Sequence, residues 1–260
     1  MNPHGPAIDS SDMPPRDHRL LVVVPALNEA KAVGAVVREV IAAAPRAKCV
    51  VIDDGSTDET ISVAREAGAE VLRLPFNLGV GGAMRTGFRY AREHGYDVVV
   101  QVDADVQHDA LYIDTLVSSL ADADIVIGAR FAGVGDYGVR GPRRWAMRVL
   151  AFAVSRVARR RLTDVTSGFK ATGPAAVRLF AETFPAEYLG DTVEALVIAA
   201  RAGLTIDQVA VKMRARQAGA PSQHPVRATM YLMRASIAFA LALLRRRVAV
   251  PAAAAEESRS

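Results

Sequence analysis

Two kinds of segment alternate along the first half of this chain, and their alternation constrains the fold more than any other feature. Short β-branched apolar runs, typical of strands buried on both faces, are each followed by a segment with apolar residues at helical spacing. The expected strands cover residues 20–24, 48–52, 70–74, 96–102 and 123–128. This order predicts an α/β fold in which a mostly parallel, Rossmann-like sheet carries helices on both faces.

Polar side chains follow the ends of four of these strands. The carboxyl ends of parallel strands meet at one edge of an open α/β sheet, and ligands bind at that edge. We therefore expect a polar cleft there, with carboxylates that can hold a metal ion. The candidates are Asn28 and Glu29 after the first strand, Asp53 and Asp54 after the second, Asp103 and Asp105 after the fourth, and Arg130 after the fifth.

Asp103 and Asp105 form the carboxylate pair best suited to a cation. Carboxylates one residue apart point to opposite sides of an extended strand, so both approach one ion only where the chain turns out of the sheet. Mg²⁺ or Mn²⁺, held by one or two carboxylates and completed by substrate phosphates, fits such a pair. For an isolated Asp-x-Asp, a solvated acidic strand end would be the better explanation, because so short a motif often matches by chance.

Two further patterns have local structural interpretations. Ser56 and Glu59 match a capping box at the start of the second helix, which would explain both residues without a function. The glycine-rich segment 77–83 follows the third strand rather than the first, and its Gly-x-Gly-x-x-Gly pattern fails at Met84. We interpret it as a close-packed strand-to-helix turn and not as a dinucleotide site.

Basic residues dominate two blocks in the second half of the chain. Residues 137–163 contain eight arginines, residues 208–255 are also basic, and neither block contains an acidic residue, although the net charge of the 260-residue chain is only +4. Such blocks predict an anionic partner, which could be a phosphate, a membrane surface or a nucleic acid. Any single arginine could instead belong to a solvated helix face.

Two expected helices have a composition suited to a membrane surface. The basic amphipathic helix from Pro142 to about Arg161 would suit anionic lipids, with packing against the sheet as the alternative. A final apolar helix from Pro225 ends in the arginines of residues 245–247. Because Arg234 interrupts it, no apolar run reaches the ~18–20 uncharged residues of a spanning helix, and we expect this helix to lie in the interface.

The chain ends and the single cysteine complete the expected organisation. Residues 1–18 are rich in Pro and Asp without an apolar signal-peptide core, and residues 248–260 are rich in Ala, so we expect both ends to be disordered. Cys49 lies in an apolar run and is most simply a core residue. A chain with no disulfide framework favours a reducing compartment, which here means the cytoplasm.

Taken together, the motifs resemble those of family 2 glycosyltransferases of the GT-A fold, close to the dolichol- and polyprenyl-phosphate mannosyltransferase branch. Each motif is weak alone, but they occur in the expected order from about residue 20 to about residue 215, and jointly they are specific. The matching segments are residues 24–29, 51–58, 77–79, 102–108, 128–130 and 166–170.

The resemblance implies a donor site for a nucleotide sugar and a divalent metal ion. The ion would offset the charge that grows on the departing nucleoside diphosphate as the glycosidic bond breaks. The implied contacts are Pro25, Leu27, Glu29, Asp53 and Asp54 with the base and ribose, Asp103 and Ala104 with the ribose and diphosphate, Asp105 and Gln107 with the metal, and Arg130 with the phosphates.

The acceptor decides whether a catalytic base is needed. A polyprenyl phosphate has an anionic oxygen at pH 7 and needs cations for positioning, whereas a hydroxyl needs a general base. Asp191 is the candidate base, although its Asp-x-x-Glu spacing to Glu194 differs from the Glu/Asp-x-Glu of many relatives, and either carboxylate could cap its helix or pair with an arginine. The candidate acceptor-phosphate residues are Arg140, Arg143, Arg144, Arg214 and Arg216.

These expectations favour an inverting, metal-dependent transfer of a hexose from a UDP- or GDP-linked donor to a polyprenyl phosphate. The reaction would take place at the cytoplasmic face of the membrane and serve cell-envelope glycan synthesis. Many lipid-phosphate glycosyltransferases carry spanning helices after the catalytic domain. This chain shows no clear one, so it would need peripheral attachment or a separate membrane partner.

Three alternatives remain at this point. The enzyme could transfer to a sugar or small-molecule hydroxyl, with Asp191 as its base. A nucleotidyltransferase would need a basic Gly-rich loop after the first strand, where this chain has Pro25–Glu29. A non-catalytic membrane-surface or nucleic-acid module is disfavoured by the 6% aromatic content and the absence of a stacking cluster.

The expected domain limits follow from the same observations. Residues 19–215 would form the glycosyltransferase domain, with the nucleotide-sugar half over 19–131 and the acceptor half over 132–215. Residues 216–247 would form the basic and apolar membrane-associating helix.

Overall fold

The structure, a computed structural model, describes residues 18–129, 142–185, 191–214 and 248–251. This part of the chain forms one seven-stranded sheet flanked by α-helices. The strands are β1 (Leu20–Ala26), β2 (Lys48–Asp53), β3 (Glu70–Arg73), β4 (Val98–Gln101), β5 (Ile125–Ala129), β6 (Lys170–Thr172) and β7 (Ile206–Ala210). The helices are α1 (Val33–Ala43), α2 (Thr60–Glu66), α3 (Gly79–Glu93), α4 (Ile113–Ser118), α5 (Pro142–Ala158), α6 (Pro174–Thr183) and α7 (Asp191–Arg201).

The strand order across the sheet is β3-β2-β1-β4-β6-β5-β7. The pairs β3–β2, β2–β1, β1–β4 and β5–β7 are parallel, and β6 runs antiparallel between β4 and β5. The prediction of a mostly parallel α/β sheet with helices is confirmed. Strands β3, β2, β1 and β4 form a parallel half of the sheet. Strand β6 joins this half to β5 and β7.

Strand β6 was not anticipated from the sequence. Lys170, the last residue of the motif at residues 166–170, begins a strand whose three residues are all buried. Three residues are too few to show a period of two, and buried Lys and Thr do not resemble a core strand. Because β6 separates β4 from β5, the end of β5 is two strand positions away from the end of β4.

Alternating side chains of the strands pack into two separate hydrophobic cores, one on each face of the sheet. Leu21 and Val23 of β1 belong to the core under α3, α5, α6 and α7, whereas Val22 and Val24 belong to the core under α1 and α4. All four side chains are fully buried. Helix α1 presents Val33, Val36, Val37 and Val40 to its core at the spacing that one helical face requires.

Most of the glycine-rich segment lies inside α3 rather than in a turn before it, since the helix begins at Gly79. The expectation of close packing nevertheless fits the geometry further along α3. A Cβ on Gly87 would lie 2.7 Å from a methyl carbon of Val23, so the helix can approach β1 this closely only with glycine there.

The helical segment between β4 and β5 is not one continuous α-helix. It consists of a 3₁₀ turn at Ala110–Tyr112, α4, and a second 3₁₀ turn at Ser119–Ala121. Within the described ranges, no helix has both the length and the apolar character needed to cross a membrane. The apolar helix expected from Pro225 lies outside the described residues.

A short stretch near the carboxyl end contacts the domain. Val248–Pro251 is described, and the Nε of Arg178 on α6 donates a hydrogen bond to the carbonyl oxygen of Pro251 at 3.2 Å. The domain limits given above stay predictions.

Cys49 should be unreactive in the folded protein. It lies in β2 with 4% of its surface exposed, and burial raises the pKa of its thiol to about 12, so very little thiolate forms at neutral pH. We expect a thiol reagent such as dithionitrobenzoate to label the native protein very slowly and to label one thiol promptly in guanidinium. Rapid labelling of the native protein would contradict this placement.

Candidate active site

The three central parallel strands bring most of the predicted site residues to one edge of the sheet. Ala26 at the end of β1 is in register with Asp53 at the end of β2. On the other side of β1, the amide of Val102 donates to the carbonyl of Val23, so the chain leaves β4 at the same edge. The polar residues that follow β1, β2 and β4 therefore lie at the same edge of the sheet.

The loops after β1 and β2 are bound to each other by hydrogen bonds centred on Asn28. Its backbone amide donates to Ser56 Oγ and its side-chain oxygen accepts from the amide of Thr57, both at 2.9 Å. Asn28 has a φ of +54°, a left-handed conformation that asparagine tolerates better than most residues. These two hydrogen bonds hold Asn28 in place and so fix the positions of its neighbours Leu27 and Glu29.

The expected capping box at Ser56 and Glu59 is wrong. Helix α2 begins at Thr60 and Glu59 caps it without a side-chain hydrogen bond, while the Ser56 hydroxyl accepts from Asn28 instead. Two further hydrogen bonds join the same loops. The backbone amide of Glu29 donates to Thr60 Oγ1 at 2.9 Å, and the backbone amide of Ala30 donates to Asp58 Oδ2 at 3.2 Å. The segment from Ser56 to Thr60 therefore holds the loop that follows β1, in addition to leading into α2.

Asp53 has a buried carboxylate oxygen that lacks a donor. The residue is fully buried, its Oδ2 accepts from the amide of Ser56 at 3.2 Å, and no donor from the described residues reaches Oδ1. Leaving a buried polar atom unsatisfied costs about 1–3 kcal/mol, and more for a charged group. An N–H group of a ligand would remove that cost, which agrees with the predicted contact between Asp53 and a nucleotide.

Asp54 has a structural task at the same edge. Its Oδ1 accepts from the backbone amide of Leu78 at 2.7 Å, and Gly79 donates to the same carboxylate. Burial raises the pKa of Asp54, and these two hydrogen bonds offset part of that rise. Asp54 therefore fastens the start of α3 to the end of β2. Pro25, half-buried, and Leu27, 37% exposed, lie at the end of β1 as expected.

The loop after β4, residues 103–108, contains the predicted metal ligands. Asp105 Oδ1 accepts from the backbone amide of Gln107 at 3.1 Å, and both residues are half-buried, while Ala104 is buried. Val106 between them has a φ of +65°, which is a costly conformation for a β-branched residue. This sharp turn takes the chain out of the sheet, as two carboxylates sharing one cation require.

Asp103 is held in a fixed position by its surroundings. Gln101 Nε2 donates to Asp103 Oδ1 at 3.2 Å. The Cα of Gly168 packs so closely on the carboxylate that an added Cβ would lie 2.5 Å from Oδ2. The side chain of Asp103 is still 37% exposed, so it can contact a ligand at the edge of the sheet.

His108 stabilises the loop of residues 103–108, and this role was not predicted from the sequence. The ring is 6% exposed and stacks on Phe169 with a centroid separation of 4.9 Å. Its Nδ1 accepts from the backbone amide of Asp103 at 3.0 Å, so a neutral ring has its proton on Nε2, which lies 3.6 Å from Asp103 Oδ2. The only sequence signal was the position of His108 beside Gln107.

The donor set at this edge fits a cation that completes its coordination with substrate. Within the described ranges, no group of three or more His, Cys, Asp or Glu side chains is arranged to hold a metal alone. Two partly exposed carboxylates and an amide oxygen are hard oxygen ligands, which Mg²⁺ and Mn²⁺ accept together with phosphate oxygens and water. The residues present therefore suit the predicted ion if a diphosphate binds with it.

Arg214 has a different environment from the one predicted. Its guanidinium donates to Glu39 Oε2 at 2.7 Å and pairs with Asp109 Oδ1 at 3.1 Å. The hydrogen bond to Glu39 contributes most to raising the pKa of Arg214. Two carboxylates already neutralise this cation, so its geometry does not support the predicted role as an acceptor-phosphate ligand.

The remaining predicted residues are only partly described. Arg143 and Arg144 lie in the first turn of α5, and Asp191 is the first residue of α7, but their side chains are not among those described. Arg130, Arg140 and Arg216 lie outside the described residues. Their roles stay predictions.

Solved structures with the same fold include an enzyme crystallised with a nucleotide and a metal ion. Glucosyl-3-phosphoglycerate synthase from Mycobacterium tuberculosis, solved with Mn²⁺, UDP and glucosyl-3-phosphoglycerate, aligns with a TM-score of 0.66 over 86% of this chain and 79% of its own. At 23% identity the likeness shows the fold alone. This sheet, with carboxylates at the carboxyl edge of its central strands, has the GT-A fold.

The family follows from the sequence match. The chain belongs to glycosyl transferase family 2, whose profile matches residues 21–181. Among its relatives, undecaprenyl-phosphate mannosyltransferase of Micrococcus luteus is 29% identical over 211 residues, covering 77% of this chain and 86% of the relative. Polyprenol monophosphomannose synthase of Mycolicibacterium smegmatis is 30% identical over 166 residues, covering 59% of this chain and 61% of the relative. The resemblance inferred from the motifs is confirmed.

Replacing Gly168 with alanine should impair the site without unfolding the protein. The new Cβ would push the Asp103 carboxylate out of place, and we expect sugar transfer or donor hydrolysis to fall by about tenfold or more, as for other changes behind a ligand-binding group. Gly173→Ala is the matched control, because Gly173 follows β6 at the opposite edge of the sheet. Equal activities of the two variants would contradict the proposed effect of Gly168 on Asp103, and similar melting temperatures are expected in either case.

Proposed function

We propose that this protein is an inverting, metal-dependent glycosyltransferase that moves a hexose from a UDP- or GDP-linked donor to a polyprenyl phosphate. The observation that carries the proposal is the similarity to a mannosyltransferase named for undecaprenyl phosphate, which extends over most of both chains. Metal dependence and inversion are supported by the donor set at the sheet edge and by the anionic nucleophile that such an acceptor supplies.

The described residues suggest how the donor is bound. The orphaned Oδ1 of Asp53 would accept a hydrogen bond from the base, and Asp54 would hold the start of α3 beside it. Asp103, fixed by Gln101 and Gly168, would accept hydrogen bonds from the ribose or contact the diphosphate. Asp105 and Gln107 would hold a divalent ion, which when bound offsets the charge on the leaving nucleoside diphosphate.

The acceptor side needs positive charge rather than a base. A phosphate oxygen of a polyprenyl phosphate is already ionised at pH 7, so it can attack the sugar carbon without giving up a proton. Attack from the side opposite the leaving diphosphate inverts the configuration at that carbon. The arginines expected to position this phosphate are Arg140, Arg143, Arg144 and Arg216, whereas Arg130 is expected to contact the phosphates of the donor.

Helix α5 offers a surface suited to a membrane that carries such an acceptor. Leu150, Ala151 and Val154 are buried in the core that α5 shares with α7. The opposite side exposes 46% of Val149 and 67% of Phe152 beside exposed arginines. The two interpretations of this helix are therefore compatible, since one face packs on the domain and the other combines apolar and basic groups as interfacial helices do. We propose peripheral attachment at the cytoplasmic face of the plasma membrane.

Vesicle binding tests the proposed membrane face of α5. We expect the full chain to sediment with vesicles of phosphatidylglycerol and phosphatidylcholine, and less with phosphatidylcholine alone, because the exposed face is basic. Phe152→Ser should weaken binding to the anionic vesicles, whereas Leu111→Ser, at a residue that is 73% exposed elsewhere, should not. Equal binding by both variants would remove α5 from the contact surface.

The proposed reaction is tested by incubating the protein with radiolabelled nucleotide sugars, decaprenyl or undecaprenyl phosphate and Mg²⁺ or Mn²⁺. We expect label to enter the lipid phase, and Asp105→Asn to lower the rate by at least about tenfold with an unchanged melting temperature. Asp114→Asn, at an exposed position on α4, is the control. If no donor labels the lipid, the proposal fails.

Transfer to a hydroxyl is distinguished in the same assay. Asp191, the first residue of α7, would be the general base for a hydroxyl acceptor. Asp191→Ala should abolish transfer to a hydroxyl and only weaken transfer to a phosphate, since the phosphate needs no base.

A further inference from the structure

Arg214 links three parts of the fold next to the predicted metal ligands. One guanidinium nitrogen donates to Glu39 on α1 at 2.7 Å, and another pairs with Asp109 at 3.1 Å. Asp109 in turn accepts from the amide of Leu111, and Glu39 accepts from the amide of Ala110. The side chain of Arg214 thus joins the segment that leaves β7 to α1 and to the 3₁₀ turn behind the metal loop.

The backbone of the same segment contacts the loop directly. The amide of Arg214 donates to the carbonyl oxygen of Gln107 at 2.9 Å, and Met213 forms an antiparallel bridge with His108. Gln107 is therefore held through its carbonyl by the backbone of Arg214. The residues that follow it, Asp109 and Ala110, are held through the side chains of Arg214 and Glu39.

The loop needs such support because it is strained. Val106 adopts a φ of +65°, and a β-branched residue keeps such a conformation only where the surrounding structure enforces it. His108 stabilises the amino-terminal half of the loop through the amide of Asp103. The Arg214 network, defined as Arg214, Glu39 and Asp109, stabilises its carboxyl-terminal half.

Partly exposed ion pairs contribute little to overall stability, so the network is better placed to fix a local geometry than to hold the fold. The side chains of Arg214 and Glu39 are 36% and 27% exposed. Arginine is the cation suited to this task, since its planar fork can donate to two carboxylates at once.

We propose that Arg214 is a positioning residue for the donor metal site, holding residues 105–109 in the conformation that directs Asp105 and Gln107 towards the ion. This inference rests on the proposed function. It replaces the acceptor-phosphate role expected for Arg214 from the sequence, and it makes the exit of β7 a part of the donor site.

The test compares Arg214→Gln with a matched control, Arg92→Gln. Arg92 pairs with Glu182 at 3.1 Å in a somewhat more exposed ion pair, and it joins α3 to α6 rather than to the metal loop. Two quantities are measured on the full chain: amide hydrogen exchange of peptides covering residues 103–112 without ligand, and the Mn²⁺ concentration that gives half-maximal binding of UDP or GDP.

We expect Arg214→Gln to speed exchange in this peptide and to raise the required Mn²⁺ concentration by about 10- to 100-fold, as for other residues behind metal ligands. Excess Mn²⁺ should restore nucleotide binding, because the ligands themselves are intact. Glu39→Gln should act in the same direction. Arg214→Lys should fall between wild type and Arg214→Gln, since an ammonium group keeps the charge but lacks the planar fork.

The proposal is overturned if Arg214→Gln and Arg92→Gln show the same exchange in residues 103–112 and the same Mn²⁺ requirement. A loss of binding that excess Mn²⁺ does not restore also overturns it, because that result indicates damage to the fold. If the unaltered protein binds neither nucleotide, the proposed donor chemistry fails separately. The exchange comparison then decides by itself whether Arg214 holds the loop.

Discussion

The parallel pairing of β1 with β2 on one side and β4 on the other is the constraint on which the rest of the site depends. The register places Asp53 beside Ala26, and the Val102–Val23 hydrogen bond brings the chain that leaves β4 to the same edge. Three polar segments far apart in sequence therefore flank one cleft. The apolar side chains of β1 make this possible, because they fill a core on each face of the sheet and fix its register.

Polar residues at this edge fall into two groups with different tasks. One group supports the loops, as Asn28 does between the first two strands and His108 does beneath the loop after β4. In the other group, no donor among the described residues reaches Oδ1 of Asp53, and the carboxylate of Asp103 is partly exposed. Fixing the loops before a ligand arrives lowers the ordering cost of binding and keeps the ligating atoms in position.

The sequence predicted the parts of this arrangement that follow from strong local patterns. β-branched runs with acidic ends located β1, β2 and β4, and with them Asp53 and Asp103. Strand β6 was not predicted because three residues carry no periodic signal. The long-range contacts of side chains could not be predicted for another reason. Nothing near Arg214 or His108 in the sequence shows that Glu39 or Phe169 is its neighbour, since those contacts depend on how distant segments pack.

The central claim is that the loop after β4 binds a divalent ion together with a nucleoside diphosphate. Crystals soaked with Mn²⁺ and UDP or GDP would test it most directly through the anomalous signal of manganese. The account predicts a single strong peak within coordination distance of Asp105 and Gln107, in contact with the diphosphate. A nucleotide bound at this edge with no manganese beside it, or manganese bound elsewhere on the protein, would contradict the account.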